Sequence, residues 1–122
     1  MERIFFGLGA LLAGIAVALG AFGAHALKTH LSPEDLVTFE TGVRYQMYHA
    51  LALLGTAWAM GRWESSLIEW SGWMFILGTV IFSGSLYTLV LTGQRWLGAV
   101  TPLGGLAFIL GWAVLSLAIL RG

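Results

Sequence analysis

Residues 4–24 read IFFGLGALLAGIAVALGAFGA and hold no charged side chain. As an α-helix at 1.5 Å per residue this run reaches about 31 Å, the thickness of the hydrocarbon core of a bilayer. It opens just after Glu2 and Arg3 and closes at His25, so polar residues mark both ends. Ala24-His25-Ala26 has the small-x-small form of a signal-peptidase site. The apolar run is longer than the roughly 7–15 residues of a signal core, and it is read as a retained helix.

Working outward, the remaining charges also fall in clusters separated by apolar runs. Four spans are expected, at about 4–24, 44–61, 70–91 and 98–120, within a single transmembrane domain covering 1–122. Arg62, Glu64 and Glu69 mark one boundary, Gly93-Gln94-Arg95 the next, and Arg121 the last. Trp63, Trp70, Trp73 and Trp96 stand near these boundaries, where indole rings favour the headgroup zone. Trp112 lies well inside the fourth span and is read as a packing residue. Thr101-Pro102 either starts that helix or kinks it, and both readings keep it long enough to span.

The segment before the second span is the one sizeable polar stretch. Ser32-Pro33-Glu34-Asp35 is a helix start: serine at the N-cap, proline at the first helical position, acids in the first turn. Leu36, Phe39 and Val43 recur at helical spacing. A short amphipathic helix over about 33–42 is expected, lying on the membrane and turning into the second span near Gly42. Its alternative is the wet end of one long second helix. The expected fold is therefore an all-α, integral membrane four-helix bundle with an amphipathic segment between its first two spans.

Composition agrees. The hydrophobic fraction is 58% and the charged fraction 10%, against roughly 25% charged in a soluble domain. Six basic and six acidic residues cannot cover a polar face on four soluble helices. A formal net charge of zero gives no electrostatic footprint for nucleic acid. With no cysteine, disulfides, thiolate metal sites and thiol catalysis are excluded. Small-xxx-small pairs such as Ala10/Gly14, Gly14/Ala18 and Ala16/Gly20 predict a first helix packed closely on more than one side.

The rare polar residues are the candidate site. His25, Arg44, Tyr45, Tyr48 and His49 gather near one membrane face and form a candidate ligand- or lipid-binding group. Arg44 has three readings: snorkelling, an ion pair with Glu40 four residues earlier, or binding of an anion such as a lipid phosphate. His49 is expected to hydrogen-bond near Tyr45, one turn earlier. A metal or haem on His25 and His49 lacks the three or four ligands such sites use, so no metal and no cofactor are expected. Ser83, Ser85 and Tyr87 supply hydroxyls in the third span, either bonded to neighbouring backbone or forming a polar path for solute. No mid-membrane carboxylate suits a proton-coupled pump, and no catalytic arrangement appears.

Four ordered motifs carry a family resemblance: GAFGAHAL at 20–27, TGVRYQMYHALA at 41–52, FSGSLY at 82–87, and TPLGG at 101–105 with Gly111-Trp112. Together they resemble the domain-of-unknown-function family 423, to which transmembrane protein 256 of animals is related. The resemblance implies a small multi-pass protein of the bacterial plasma membrane and no known activity, so no catalytic residue carries over. The positions matching those motifs include Gly23, His25, Gly42, Arg44, Tyr45, Gln46, His49, Ser83, Tyr87 and Pro102.

The leading expectation is a non-enzymatic membrane protein with membrane lipids as partners, as a homo-oligomer or with another membrane protein. A small oligomeric channel or exporter is one rival, and a histidine-based redox or metal protein the other. Arg3, Arg62 and Arg121 balance Lys28, Arg44 and Arg95 across the membrane. The N-terminal amine and any burial of Arg44 tip that balance weakly towards cytoplasmic termini.

Overall fold

The computed structural model describes residues 1–121, and these are helical with short connections and no strand. The first helix runs Glu2–Leu27, with a π turn at Leu19–Gly23 inside it. The second is Pro33–Met60 and the third Ser66–Thr92. A 3₁₀ turn, Arg95–Ala99, leads into the fourth, Thr101–Arg121. Each helix packs on its neighbour in sequence.

Helix ends follow local chemistry. Ser32 accepts the amide of Asp35 at 3.1 Å, with Pro33 in the first turn. Ser65 accepts the amide of Leu67 at 3.2 Å. Both caps satisfy donors that a helix start leaves without partners. The third helix ends at Gly93, whose φ of 74° is the left-handed conformation glycine adopts without steric cost. Pro102 sits in the first turn of the fourth helix, where its missing N–H removes no helical bond.

Three segments are long and apolar enough to cross a membrane: Glu2–Leu27, Ser66–Thr92 and Arg95–Arg121. The second helix has the length, and its Arg44, Gln46 and His49 lower its mean hydropathy.

Two expectations change. The separate amphipathic helix over 33–42 is absent: the chain continues as one helix from Pro33 to Met60. Gly42 does not turn the chain; it lets another helix approach. A Cβ there would lie 2.8 Å from Tyr87 Cε1, and its carbonyl accepts the Ser83 hydroxyl at 2.7 Å. At about 42 Å this helix outruns a core of about 30 Å, so its polar first turns reach beyond the core of any bilayer it crosses.

The first helix is packed closely on one side, not several. Gly9 and Ala16 are buried, whereas Ala10, Gly14 and Ala18 are exposed. The sequential order of packing explains this, because the first helix meets chiefly the second. Close approach is instead concentrated between the third and fourth helices. There Gly78 faces Phe108, Gly104 faces Phe82, and Gly111 faces Phe75, leaving no room for a Cβ. Phe5, Leu53 and Phe75 are fully buried in the central apolar cluster.

Candidate functional site

His49 is buried between the second and fourth helices. Its Nδ1 lies 2.8 Å from the Tyr45 carbonyl, which can only accept, so Nδ1 carries the proton. Its Nε2 lies 3.1 Å from Trp112 Nε1, which can only donate. The two contacts fix one neutral tautomer and occupy both ring nitrogens. The imidazole also lies flat on Phe108, with centroids 3.5 Å apart and planes 7° from parallel. The expected hydrogen-bonding role near Tyr45 is what the geometry shows. No lone pair remains for a metal, and among the described residues no group of three metal-ligating side chains stands together.

His25 does not join it. The aromatic neighbours of His49 are Tyr45, Phe75, Phe108 and Trp112, none on the first helix, and His25 is exposed. Arg44, Tyr45 and Tyr48 do share one outer surface. Tyr45 and Tyr48 stack edge-on at 5.6 Å, and among the described residues the one polar side-chain contact of Arg44 is the Thr41 hydroxyl, at 3.4 Å. The expected Glu40–Arg44 pair is not formed. Both side chains are exposed, where an ion pair gains little and costs side-chain freedom.

The three candidate hydroxyls of the third helix, Ser83, Ser85 and Tyr87, point to different partners. Ser83 donates to the Gly42 carbonyl at 2.7 Å, and Ser85 meets the Thr101 hydroxyl at 2.6 Å. Tyr87 donates to Gln46 Oε1 at 2.7 Å, and Gln46 Nε2 donates to the Leu12 carbonyl at 2.9 Å. One relay thus joins the third, second and first helices. These groups serve as cross-links between helices, and among the described residues no buried side-chain nitrogen or oxygen lacks a partner.

Sequence reasoning missed the Asp35–Arg95 pair. Its two bonds of 2.9 and 3.1 Å clamp the start of the second helix to the connection before the fourth. The hydrogen bond from Arg95 and its positive charge hold the Asp35 carboxyl below its ordinary 3.8. The available signal was that Asp35 and Arg95 fall on the same side once four spans are drawn. Gln46 was legible only as a motif residue, because glutamine on an apolar helix does not reveal which backbone it will reach.

A family model for a protein of unknown function (DUF423) matches residues 19–105. That range holds every cross-linking side chain except Trp112. A UPF0382 membrane protein of Staphylococcus epidermidis is 49% identical over 119 residues, spanning 98% of this chain and 97% of its own. The UPF0382 membrane protein YwdK of Bacillus subtilis is 43% identical over 120 residues, 98% of each chain. The UPF0382 inner membrane protein YgdD of Escherichia coli is 47% identical over 107 residues, 88% of this chain and 82% of its own. No solved structure matches.

Proposed function

The chain belongs to the DUF423 family, whose relatives are named membrane proteins, and from that premise we propose a non-enzymatic, four-span protein of the bacterial plasma membrane that holds anionic lipid headgroups at its Arg44 face. The second helix supplies the fourth span through its C-terminal part, where residues 45–60 carry no acidic residue, lysine or arginine. The observation that carries the lipid reading is Arg44 itself. It is exposed beside Tyr45 and Tyr48, and among the described residues its side chain's one polar contact is the Thr41 hydroxyl at 3.4 Å. A guanidinium there presents its N–H groups to a lipid phosphate, with the Tyr45 phenol beside it in the interfacial zone.

Catalysis has little to work with. His49, Ser83, Ser85 and Tyr87 are all bonded into the packing between helices. A spin-labelled phosphatidylglycerol in reconstituted vesicles tests the reading. Its preference over phosphatidylcholine should fall about fivefold in Arg44→Gln, the effect of one interfacial arginine. An unchanged preference would refute it.

A further inference from the structure

A groove of about 470 Å³ runs along the outer surface between the second and fourth helices. Its walls include Tyr48, Gly55 and Trp58 of the second helix, Trp112 and Ile119 of the fourth, and Trp63 of the connection. From Tyr48 to Ala59 the helix rises about 16 Å, close to half a hydrocarbon core of about 30 Å. At its middle, Gly55 has no atom within 4 Å of where a Cβ would stand. The groove is open there because that position lacks a side chain.

Arg62 stands at the Trp63 end. Its guanidinium lies 5.5 Å from the Trp58 ring and 5.7 Å from the Trp63 ring, the two indoles that close the groove. Those rings pack edge-on, with centroids 5.6 Å apart. A guanidinium held by ring faces at that distance keeps N–H groups available for an anion. A carboxylate near the adjacent backbone is that of Glu2, whose Oε2 lies 3.7 Å from where a Cβ on Gly61 would stand. It makes no ion pair with Arg62, since Asp35–Arg95 is the one ion pair among the described residues.

We infer that this groove is a binding site for one anionic glycerophospholipid, with an acyl chain along Gly55 and the phosphate at Arg62. Three observations converge on that occupant. The groove is lined almost wholly by apolar surface, its length along the second helix is close to one leaflet, and a cation with no ion pair among the described residues stands over the aromatic rings at its interfacial end. Its Arg62 end lies some 18 residues along the chain from Arg44, about 27 Å at helical rise, so the phosphate would sit at the opposite leaflet. The site does not depend on the Arg44 reading.

Gly55→Leu is the decisive variant, because it fills the groove where the packing has space and leaves every cross-link between helices in place. Detergent-purified protein would be titrated with phosphatidylglycerol and with phosphatidylcholine, and bound lipid counted by native mass spectrometry. The wild type should retain one phosphatidylglycerol in the groove, besides any held at Arg44. Gly55→Leu should weaken that retention about tenfold, and Arg62→Gln should weaken it about fivefold while abolishing the preference over phosphatidylcholine. Arg44→Gln should leave the Gly55-dependent lipid in place. Equal retention by the wild type and Gly55→Leu, or none by the wild type, would overturn the site. A dimer that dissociates in Gly55→Leu, with no change in lipid, would give the groove to a second copy and overturn it equally. An unshifted helical circular dichroism spectrum shows that each variant is folded.

Discussion

Trp112 donates its indole N–H to Nε2 of His49 across 3.1 Å, tying the middle of the fourth helix to the second. The same imidazole uses Nδ1–H on its own helix, at the Tyr45 carbonyl, and stacks on Phe108. A histidine inside an apolar bundle is thereby fully partnered without a metal or a water. Trp112→Phe should leave Nε2 as a buried acceptor with no donor, costing about 1 kcal/mol, the scale of a hydrogen bond between membrane helices. The measurement is reversible unfolding in detergent, combined with His49→Phe in a double-mutant cycle. Adding Trp112→Phe to His49→Phe should cost less than adding it to the wild type, and equal costs would show that the bond contributes nothing.

The relay Tyr87–Gln46–Leu12 offers a second test. Tyr87→Phe removes the donor to Gln46 Oε1 but keeps the ring beside Phe39, at 5.4 Å. Gln46→Leu also removes the bond to the first helix. The glutamine change should destabilise more, by about 1–3 kcal/mol, because it strands the Tyr87 hydroxyl and loses two bonds at once. Hydrogen exchange at the amides of the first helix should accelerate in Gln46→Leu and stay close to wild type in Tyr87→Phe.

Gly42 and Gly14 form a matched pair. A methyl at Gly42 meets Tyr87 Cε1 at 2.8 Å, so the ring or the backbone must shift, whereas Gly14 has nothing within 4 Å. Gly42→Ala is expected to cost about 1–3 kcal/mol, as overpacking does, and Gly14→Ala to be neutral or mildly stabilising. Similar losses for both would contradict the one-sided packing of the first helix.

The Asp35–Arg95 clamp titrates. Its carboxyl is held below 3.8 in the folded protein, so the stability it adds is present above the unfolded value and is lost as pH falls through the folded one. The window is therefore more acidic than about pH 4. Carbon-detected NMR of Asp35 should show a midpoint below that of Asp35 in Arg95→Gln, and salt should narrow the gap because Arg95 is 65% exposed. Identical midpoints would mean that the two groups do not interact in solution.

Much of this arrangement was legible in the residues. The uncharged run at 4–24, the Ser32-Pro33 start and the Gly93 stop each act within a few residues, and each appears where local chemistry places it. Partner choice was not legible. Gln46, Ser83 and Trp112 reach across helices, and the rotation of one helix about another decides which carbonyl or nitrogen they meet. The small residues show the same limit. Ala10 and Gly14 have the spacing of a packing face yet stay exposed, while Gly78 and Gly104 take the close contacts. Composition can indicate that helices approach closely, but it does not select the pair.

The second helix is where sequence and membrane make different demands, and its crossing is open to direct measurement. Its mean hydropathy falls short of that of the other three segments, yet it packs between the first and third helices. The Asp35–Arg95 pair already requires the connections before the second and fourth helices to share a side, whatever the membrane does. The connection at Ser65 therefore decides between four spans and fewer. The chain has no cysteine, so single reporters can be placed without removing any. With a membrane-impermeant maleimide, Thr29→Cys and Gln94→Cys should react from one side and Ser65→Cys from the other. Reporter fusions at the C-terminus should place it with Ser65, on the cytoplasmic side. Labelling of Ser65→Cys from the same side as Thr29→Cys would leave the second helix outside the bilayer and end the four-span reading.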